Sequence, residues 1–155
     1  MIDVDDFKEY NDKYLHLEGD EVLKQTAQVI SQVIRKERDW ASRFGGDEFI
    51  IILPGLTTTQ AAKVGERIIK LFQQIKFKPK DEIVQKTLSM GVACCHYAEV
   101  RPRRGDKNKG TPTNYEKVAT ELTILADKAL FQAKKAGRNQ LVISKEAIEL
   151  SRFSK

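Results

Sequence analysis

The sequence predicts an α/β sandwich, in which helices flank a central sheet that is mixed but mainly antiparallel. Two observations carry this prediction. Short β-branched runs alternate with longer segments whose apolar residues recur at helical spacing, in the order β-α-β-β-α-β-α-β. The second and third predicted strands are separated only by the stretch Gly-Gly-Asp-Glu, which is typical of a β-hairpin.

The composition fits one globular domain. The 155 residues are 41% hydrophobic and 32% charged, which allows a hydrophobic core and argues against disorder. The net charge is +5, but five basic residues against Asp106 place +4 of it between Arg101 and Lys109. Because the rest of the chain is close to neutral, we expect no nucleic-acid partner.

The cysteines and the apolar runs indicate the cellular compartment of the protein. Cys94 and Cys95 are adjacent, a spacing that strains a disulfide and forms no CxxC metal motif. No signal peptide begins the sequence, and the longest apolar run, Phe49–Leu53, is far too short to span a membrane. We therefore expect a cytoplasmic location in a reducing environment, with no membrane contact in this segment.

The first third of the chain predicts one strand and two helices. Met1–Asp5 is typical of the end of a strand, and Phe7–Tyr14 predicts a short polar helix. Gly19-Asp20 predicts the start of a helix over about residues 21–38, whose apolar positions form one stripe. Because the first strand is short for the start of a domain, we expect the natural protein to have more chain upstream.

The hairpin follows. Residues 40–44 and 49–53 predict its two strands, and Gly45-Gly46 predicts a two-residue turn, since such turns need positive φ angles. Strand alternation places Asp47 and Glu48 on opposite faces. Taken alone, an acidic hairpin tip is most often simply solvated. A carboxylate beside backbone that no Cβ shields nevertheless suits a metal ion and a phosphate.

The middle of the chain predicts a helix and a strand. Thr57 and Gln60 form a capping-box pattern, which predicts the start of a helix that continues to about Ile75. The apolar residues of this segment recur on one helical side. Residues 82–95 predict a strand that bends at Gly91.

The last third predicts a loop, a helix and a strand. Residues 97–114 predict a long basic loop, which is either functional or disordered. Tyr115–Ala136 predicts a helix that Gly137 terminates, and Gln140–Ile143 predicts a last strand. Ser144 is a candidate cap for a helical tail. The complete order favours a ferredoxin-like sandwich.

Two acidic clusters predict a metal site. Asp3-Val4-Asp5 ends the first strand, and the hairpin tip carries Asp47 and Glu48. If these strands pair as neighbours, Asp3 lies beside one hairpin carboxylate. Two buried carboxylates repel each other, and a Mg²⁺ ion between them removes that cost, since Mg²⁺ prefers a few carboxylates together with phosphate oxygens and water.

A third cluster is basic. Lys134 and Arg138 are four residues apart on the last predicted helix and so share a face. They are either a ligand-binding pair or a solvated helix end, where cations are favoured in any case. The spacing alone leaves both interpretations open.

Five stretches together resemble the GGDEF family of diguanylate cyclases. They follow in order, at plausible spacing, from residue 1 to about residue 143, and agreement among five motifs is far more specific than the hairpin alone. The stretches are Asp3–Asp12 (DVDDFKEYND), Leu17–Leu23 (LEGDEVL), Arg43–Phe49 (RFGGDEF), Leu88–Ala93 (LSMGVA) and Ala126–Asn139 (ADKALFQAKKAGRN).

The resemblance implies a metal site. In the family the first Asp of the strand motif and the carbonyl of the next residue bind metal, which places these roles on Asp3 and Val4. The first acid after the glycines binds metal and accepts a proton, which falls on Asp47, and Glu48 has a supporting role. The implied ions are Mg²⁺ or Mn²⁺, two per GTP.

The resemblance also implies nucleotide contacts. The lysine that stabilises phosphate charge in the transition state falls on Lys8. Guanine and ribose recognition falls on Asn11, His16 and Asp20, although a lone histidine is more often an ordinary surface residue. The remaining implied contacts are the close approach of nucleotide to backbone at Gly45 and Gly46, and binding of the β- and γ-phosphates by Lys134 and Arg138.

The implied reaction joins two GTP molecules into cyclic di-GMP and releases two pyrophosphates, in bacterial second-messenger signalling. One domain holds one GTP, so two domains must meet face to face, and a homodimer is expected. The alternative is a non-catalytic module that binds GTP or cyclic di-GMP and signals by protein contacts. Because the glycines and acids of the motif are all present, catalysis is the favoured interpretation.

The chain departs from the family pattern before the hairpin and before His16. Members under product inhibition have Arg-x-x-Asp before the hairpin, where this chain has Lys36 and Asp39, and lysine lacks the bidentate fork of arginine. We therefore predict weak or absent product inhibition. Leu15 stands where the family usually has glycine, immediately before His16.

The start of the chain also departs from the pattern. The family's upstream helix and Asp-x-Leu-Thr motif do not precede Met1. We interpret residues 1–143 as a catalytic domain truncated at its N-terminus and residues 144–155 as a tail. We expect an upstream sensory or receiver domain, through which the full-length protein could be tethered to a membrane.

Overall fold

A computed structural model of the chain describes residues 1–96, 115–146 and 148–149. Helices and strands alternate along these residues as the sequence predicts. In chain order they are β1 (Ile2–Val4), α1 (Phe7–Tyr14), α2 (His16–Val33), β2 (Trp40–Gly45), β3 (Glu48–Ile52), α3 (Thr58–Phe72), β4 (Leu88–Val92), β5 (Cys95–His96), α4 (Tyr115–Lys135), β6 (Leu141–Ile143) and β7 (Ile148–Glu149).

One five-stranded sheet has the order β2-β3-β1-β4-β6. Its first three pairings are antiparallel, and β4 pairs with β6 in parallel. The short strands β5 and β7 form a separate parallel pair. The predicted fold class, an α/β sandwich around a mixed and mainly antiparallel sheet, is confirmed.

Helices cover both faces of this sheet. On one face Val4 and Leu88 lie in the core with residues of α2 and α3 such as Val22 and Phe72, all of them almost fully buried. On the other face α4 packs so closely that a Cβ on Gly91 would lie 2.0 Å from the carbonyl oxygen of Ala126. Asp3, which neighbours Val4 on β1, therefore points to the α4 side.

The helix α2 differs from its prediction at both ends. It begins at His16 instead of near residue 21, and Gly19 lies inside it. The glycine serves packing there, because a Cβ at Gly19 would lie 1.8 Å from the Oδ1 atom of Asn11 on α1. The helix ends at Val33 instead of residue 38. The backbone N–H of Arg35 donates to the Asp39 carboxylate at 2.8 Å, which turns the chain toward β2.

The predicted strand over residues 82–95 is too long. Strand β4 covers Leu88–Val92 only, since Leu88–Met90 pair with the three residues of β1 and Met90–Val92 pair with β6. The capping box of Thr57 and Gln60 is confirmed, although α3 ends at Phe72 instead of Ile75.

The end of the described chain is partly as predicted. Helix α4 ends at Lys135, and Gly137, the glycine predicted to terminate it, follows with a φ of 111°. Within the predicted helical tail, Ile148–Glu149 forms a strand that pairs with β5, and residues 147 and 150–155 lie outside the described residues. The predicted loop at residues 97–114 lies outside the described residues. Within the described residues, no helix is both long and apolar enough to cross a membrane.

Candidate active site

The hairpin tip meets the end of β1. Asp3 on β1 pairs with Glu48 on β3, and the backbone N–H of Val4 donates to the carbonyl of Asp47 at 3.4 Å. The predicted meeting of the two acidic clusters is therefore confirmed. Asp3 and Val4 are buried, whereas Asp47 and Glu48 are half-buried at the mouth of the site.

The turn of the hairpin is displaced by one residue from its prediction. Gly45 still pairs with Glu48 at the end of β2, so the turn consists of Gly46 and Asp47. The cause is an irregularity in the pairing between Arg43 and Gly45, which adds one residue to β2. Gly46 has a φ of 49°, and a Cβ at Gly45 or Gly46 would have no atom within 4 Å. The backbone at the tip is therefore open to a ligand.

Asp3 is the electrostatic centre of the site. Its residue is 4% exposed, and Lys134 on α4 lies 2.6 Å from its Oδ2 atom. Burial raises the pKa of Asp3 to about 6, against the hydrogen bond from Lys134, and the charges of Asp47 and Glu48 raise it further. A cation at this point would relieve the burial and the repulsion together.

The donors at this point fit a small divalent cation. Within the described residues, no group of three or more His, Cys, Asp or Glu side chains is arranged to hold a metal ion. A Mg²⁺ ion does not need one, because it binds one or two carboxylates and completes its shell with water and phosphate oxygens. The carboxylates of Asp3 and Asp47 with the carbonyl of Val4 are such a set.

The two predicted phosphate-binding cations lie at the same end of the sheet. Lys134 pairs with Asp3, and the Nε atom of Arg138 lies 3.1 Å from the Oδ1 atom of Asp6. Both basic side chains remain partly exposed. The prediction that both residues lie on the last helix is wrong for Arg138, because α4 ends at Lys135 and Arg138 lies in the turn that follows, with a φ of 62°. Both cations nevertheless lie beside acids at this end of β1.

Asn11 is the second informative residue. Its Oδ1 atom is buried and lacks a hydrogen-bond partner in the described part of the chain. A buried acceptor without a donor is costly, which suggests a ligand donor such as the N–H of a purine. Asn11 lies against Gly19 of α2, one residue from Asp20.

A cavity of about 370 Å³ opens between α2 and the hairpin. Asp20 and Leu23 line it from α2, and Arg43 and Phe49 line it from the hairpin strands. His16 is exposed as the first residue of α2 and is not among the residues that line this cavity. Lys8 is exposed on the first turn of α1.

Lys36 and Asp39, the predicted degenerate site of product inhibition, differ in their exposure to solvent. Lys36 is exposed, whereas the side chain of Asp39 is only 1% exposed. Arg35 donates to both carboxylate oxygens of Asp39, most closely at 2.6 Å. These hydrogen bonds lower the pKa of Asp39. This pairing is not among the predictions from the sequence, although the spacing of four residues between Arg35 and Asp39 is a signal for it.

Lys86 is a further residue of the site that the sequence does not predict. Its residue is 7% exposed, and its ammonium group donates to the carbonyl oxygen of Asp6 at 2.8 Å. Burial lowers the pKa of Lys86, while the charges of Asp6, Asp5, Glu9 and Asp47 raise it. Lys86 thus holds the turn between β1 and α1 beside the acidic centre. No feature of the local sequence marks it, because its neighbours are polar as well.

Known proteins share this sequence and this arrangement. The family model described as "Diguanylate cyclase, GGDEF domain" matches residues 1–104. The uncharacterized protein YhcK of Bacillus subtilis is 37% identical over 147 residues, which are 94% of this chain and 36% of that protein. Diguanylate cyclase A of Treponema denticola is 34% identical over 145 residues, covering 94% of this chain and 34% of that protein.

A solved structure has the same fold. The active GGEEF domain of a diguanylate cyclase from Vibrio cholerae superposes with a TM-score of 0.73 at 30% sequence identity, covering 94% of this chain and 80% of that one. This chain spans only about a third of the length of the two curated relatives it matches. The likeness therefore concerns one domain of those longer proteins.

Proposed function

The chain belongs to the GGDEF family of diguanylate cyclase domains, and we propose that it is itself a diguanylate cyclase, which condenses two GTP molecules into cyclic di-GMP. One observation carries the proposal. A buried carboxylate, Asp3, lies beside the hairpin acids and is faced by Lys134, with Arg138 four residues further on, in the turn after α4. The acids can share a metal ion, and the basic side chains beside them can bind phosphate. Such a site suits a triphosphate with its bound metal ion.

Asp3, Asp47 and the carbonyl of Val4 would hold Mg²⁺ or Mn²⁺, two ions per GTP, with Glu48 in support. The ions would supply positive charge at the α-phosphate and acidify the attacking hydroxyl group. The buried carboxylate of Asp3 supports this assignment, since its only cationic side-chain partner within the described residues is Lys134.

The proposed nucleotide contacts use the side chains around the acidic centre. The unpartnered Oδ1 atom of Asn11 would accept a guanine N–H, and Asp20 would bind from the wall of the cavity. His16 and Lys8 are exposed, so they would reach ribose and phosphate from the rim of the site. Lys134 and Arg138 would exchange Asp3 and Asp6 for the oxygens of the β- and γ-phosphates.

The proposed reaction uses one GTP in each of two domains. The 3′-hydroxyl oxygen of one GTP attacks the α-phosphorus of the other, and its proton passes to Asp47. The bond between the α-phosphorus and its bridging oxygen breaks, and pyrophosphate leaves with that electron pair. Repetition of the step in the opposite direction closes the ring, so two chains must face each other. The chain's contribution is chiefly positioning and charge.

The proposed function is tested by incubating the protein with GTP and Mg²⁺ or Mn²⁺ and separating the products by chromatography. We expect cyclic di-GMP from the wild type and none from Asp47→Ala. Glu66→Ala is the matched control, because Glu66 is an exposed acid on α3, and it should form product normally. Equal product from Asp47→Ala would contradict the assignment of Asp47. GTP binding without product would favour the alternative, a non-catalytic binding module.

Product inhibition at Lys36 and Asp39 is proposed to be weak or absent. Asp39 is already bound by Arg35, and breaking that pair would leave a buried charge. The measurement is titration of the protein with cyclic di-GMP, and tight binding that Lys36→Ala abolishes would contradict the proposal.

A further inference from the structure

Asp5 is a buried carboxylate that the proposed chemistry does not use. Its residue is 2% exposed and follows directly after β1. The hydroxyl of Ser89 donates to its Oδ1 atom at 2.6 Å, and the hydroxyl of Thr87 donates to its Oδ2 atom at 2.6 Å. The backbone N–H of Asn139 donates to the same Oδ2 atom at 3.1 Å. Asp5 therefore joins β1, the segment leading into β4 and the turn after α4.

That turn has a strained backbone. Gly137, Arg138 and Asn139 follow one another with φ angles of 111°, 62° and 49°. A non-glycine residue in this region costs on the order of 1 kcal/mol, so such a turn persists only where its surroundings hold it. The N–H of Arg138 is held by the carbonyl of Ala133 at 3.0 Å. Asn139 is held by Asp5 through its backbone and by Gln73 through its side chain.

The strained turn carries a residue of the proposed site. Arg138 reaches Asp6, the residue next to Asp5, so the anchor and the guanidinium lie at the same end of β1. If the bond from Asn139 to Asp5 were lost, the turn could relax toward ordinary φ angles. The starting point of the Arg138 side chain would then move away from the acidic centre.

We propose that Asp5 is a positioning residue, which holds the N–H of Asn139 and thereby fixes the backbone from which Arg138 reaches the β- and γ-phosphates of the nucleotide. The inference rests on the proposed function, in which Arg138 binds those phosphates. A merely structural role for Asp5 would lower stability without selecting between nucleotides that differ in their phosphates.

Three variants separate these roles. Asp5→Ala removes the acceptor for Asn139. Asp5→Asn keeps an oxygen that can accept from Asn139, while its NH₂ group can donate to the hydroxyl of Ser89, which rotates to accept it. Ser89→Ala is the matched control, because it removes a hydrogen bond to the other carboxylate oxygen and leaves the bond from Asn139 in place.

The measurement is the affinity of each variant for 3′-deoxy-GTP and for 3′-deoxy-GMP, by calorimetry in Mg²⁺. Neither probe can react, because both lack the attacking hydroxyl group. We expect Asp5→Ala to lose about tenfold or more of the preference for the triphosphate, as the loss of a charge-assisted contact predicts. Asp5→Asn and Ser89→Ala should keep most of that preference.

The outcomes distinguish the positioning role of Asp5 from the proposed function. Equal weakening of both nucleotides by Asp5→Ala, or no weakening, would overturn the positioning role and leave the proposed function intact. A wild type that binds the triphosphate no more tightly than the monophosphate would overturn the proposed phosphate contacts and this inference with them.

A second measurement does not depend on whether Asp5→Ala folds. Hydrogen exchange of the Asn139 amide in the wild type reports the anchoring bond directly, without a nucleotide. We expect slow exchange, although the residue lies in a turn at the surface. Exchange at the rate of an unprotected amide would overturn the proposal.

Discussion

Leu15 connects α1 to α2 with φ 76° and ψ 161°. This region of backbone space is adopted almost only by glycine, and a side chain there costs about 1–3 kcal/mol. The Leu15 side chain is 64% exposed, so little packing offsets the strain. We predict that Leu15→Gly raises the free energy of unfolding by about 1 kcal/mol, since relief of strain outweighs the added entropy of the unfolded chain. Urea denaturation measures the change.

Leu17 provides the matched control. It is also an exposed leucine, 81% exposed, but it lies in the first turn of α2 with helical geometry. Leu17→Gly should lower the free energy of unfolding by about 0.5–1 kcal/mol, because glycine is a poor helix former. If both substitutions changed stability in the same direction, strain at Leu15 would not be the cause.

Gly19 is required for the placement of Asn11. A Cβ there would lie 1.8 Å from the Oδ1 atom of Asn11 and 2.8 Å from its Cγ atom, so the Asn11 side chain would have to move. We predict that Gly19→Ala weakens guanine-nucleotide binding about tenfold, as loss of one buried hydrogen bond implies. The measurement is nucleotide affinity in a double-mutant cycle with Asn11→Ala. In the Asn11→Ala background the second substitution should have little further effect, and an equal loss in both backgrounds would contradict the account.

At the scale of elements, Arg35 and Asp39 fix the connection between α2 and β2. The guanidinium of Arg35 also donates to the carbonyl of Pro54 at 2.8 Å, beyond the end of β3. One ion pair therefore connects the end of α2, the start of β2 and the end of β3. The hairpin that carries Asp47 is anchored far from its tip.

This pair predicts a pH dependence of stability. The hydrogen bonds from Arg35 lower the pKa of Asp39 in the folded protein. Its contribution is therefore present above the unfolded-state pKa of about 3.9 and is lost as the pH falls through the folded pKa. We predict that Asp39→Asn lowers the free energy of unfolding at pH 7 and that the difference from wild type shrinks below about pH 4.

Denaturant unfolding across this pH range measures the effect. Glu37→Gln is the control, since it removes an exposed charge two residues away and should change stability little at pH 7. A difference between Asp39→Asn and wild type that is as large at pH 3 as at pH 7 would show that the ion pair is not the source.

The sequence predicts which helices and strands form better than it predicts where they begin and end. Alternation and β-branched runs identified the hairpin, but the displaced turn depends on one extra residue in β2, which no local pattern marks. Gly19 predicts a helix start but lies inside α2, because a glycine required for tertiary packing looks the same in sequence as one at a helix boundary. The length of β4 depends on its partners β1 and β6, which are distant from it in the chain.

At the scale of the molecule, the candidate site is assembled from segments far apart in sequence. The end of β1, the hairpin tip and the end of α4 meet at one end of the sheet. Strand pairing made the meeting of Asp3 with the hairpin acids predictable. The ion pair between Lys134 and Asp3 was not predictable from the residues, because helical spacing defines a face of α4 but not what that face covers.

The proposed site binds one nucleotide, and the proposed reaction joins two. We therefore expect the activity to follow association of two chains. The most direct test is the specific rate of cyclic di-GMP formation from GTP over a wide range of protein concentration, with the dimer fraction measured by sedimentation. The account predicts a specific rate that rises in parallel with the dimer fraction. Full activity from monomeric protein, or no product from a dimer that binds GTP, would contradict it.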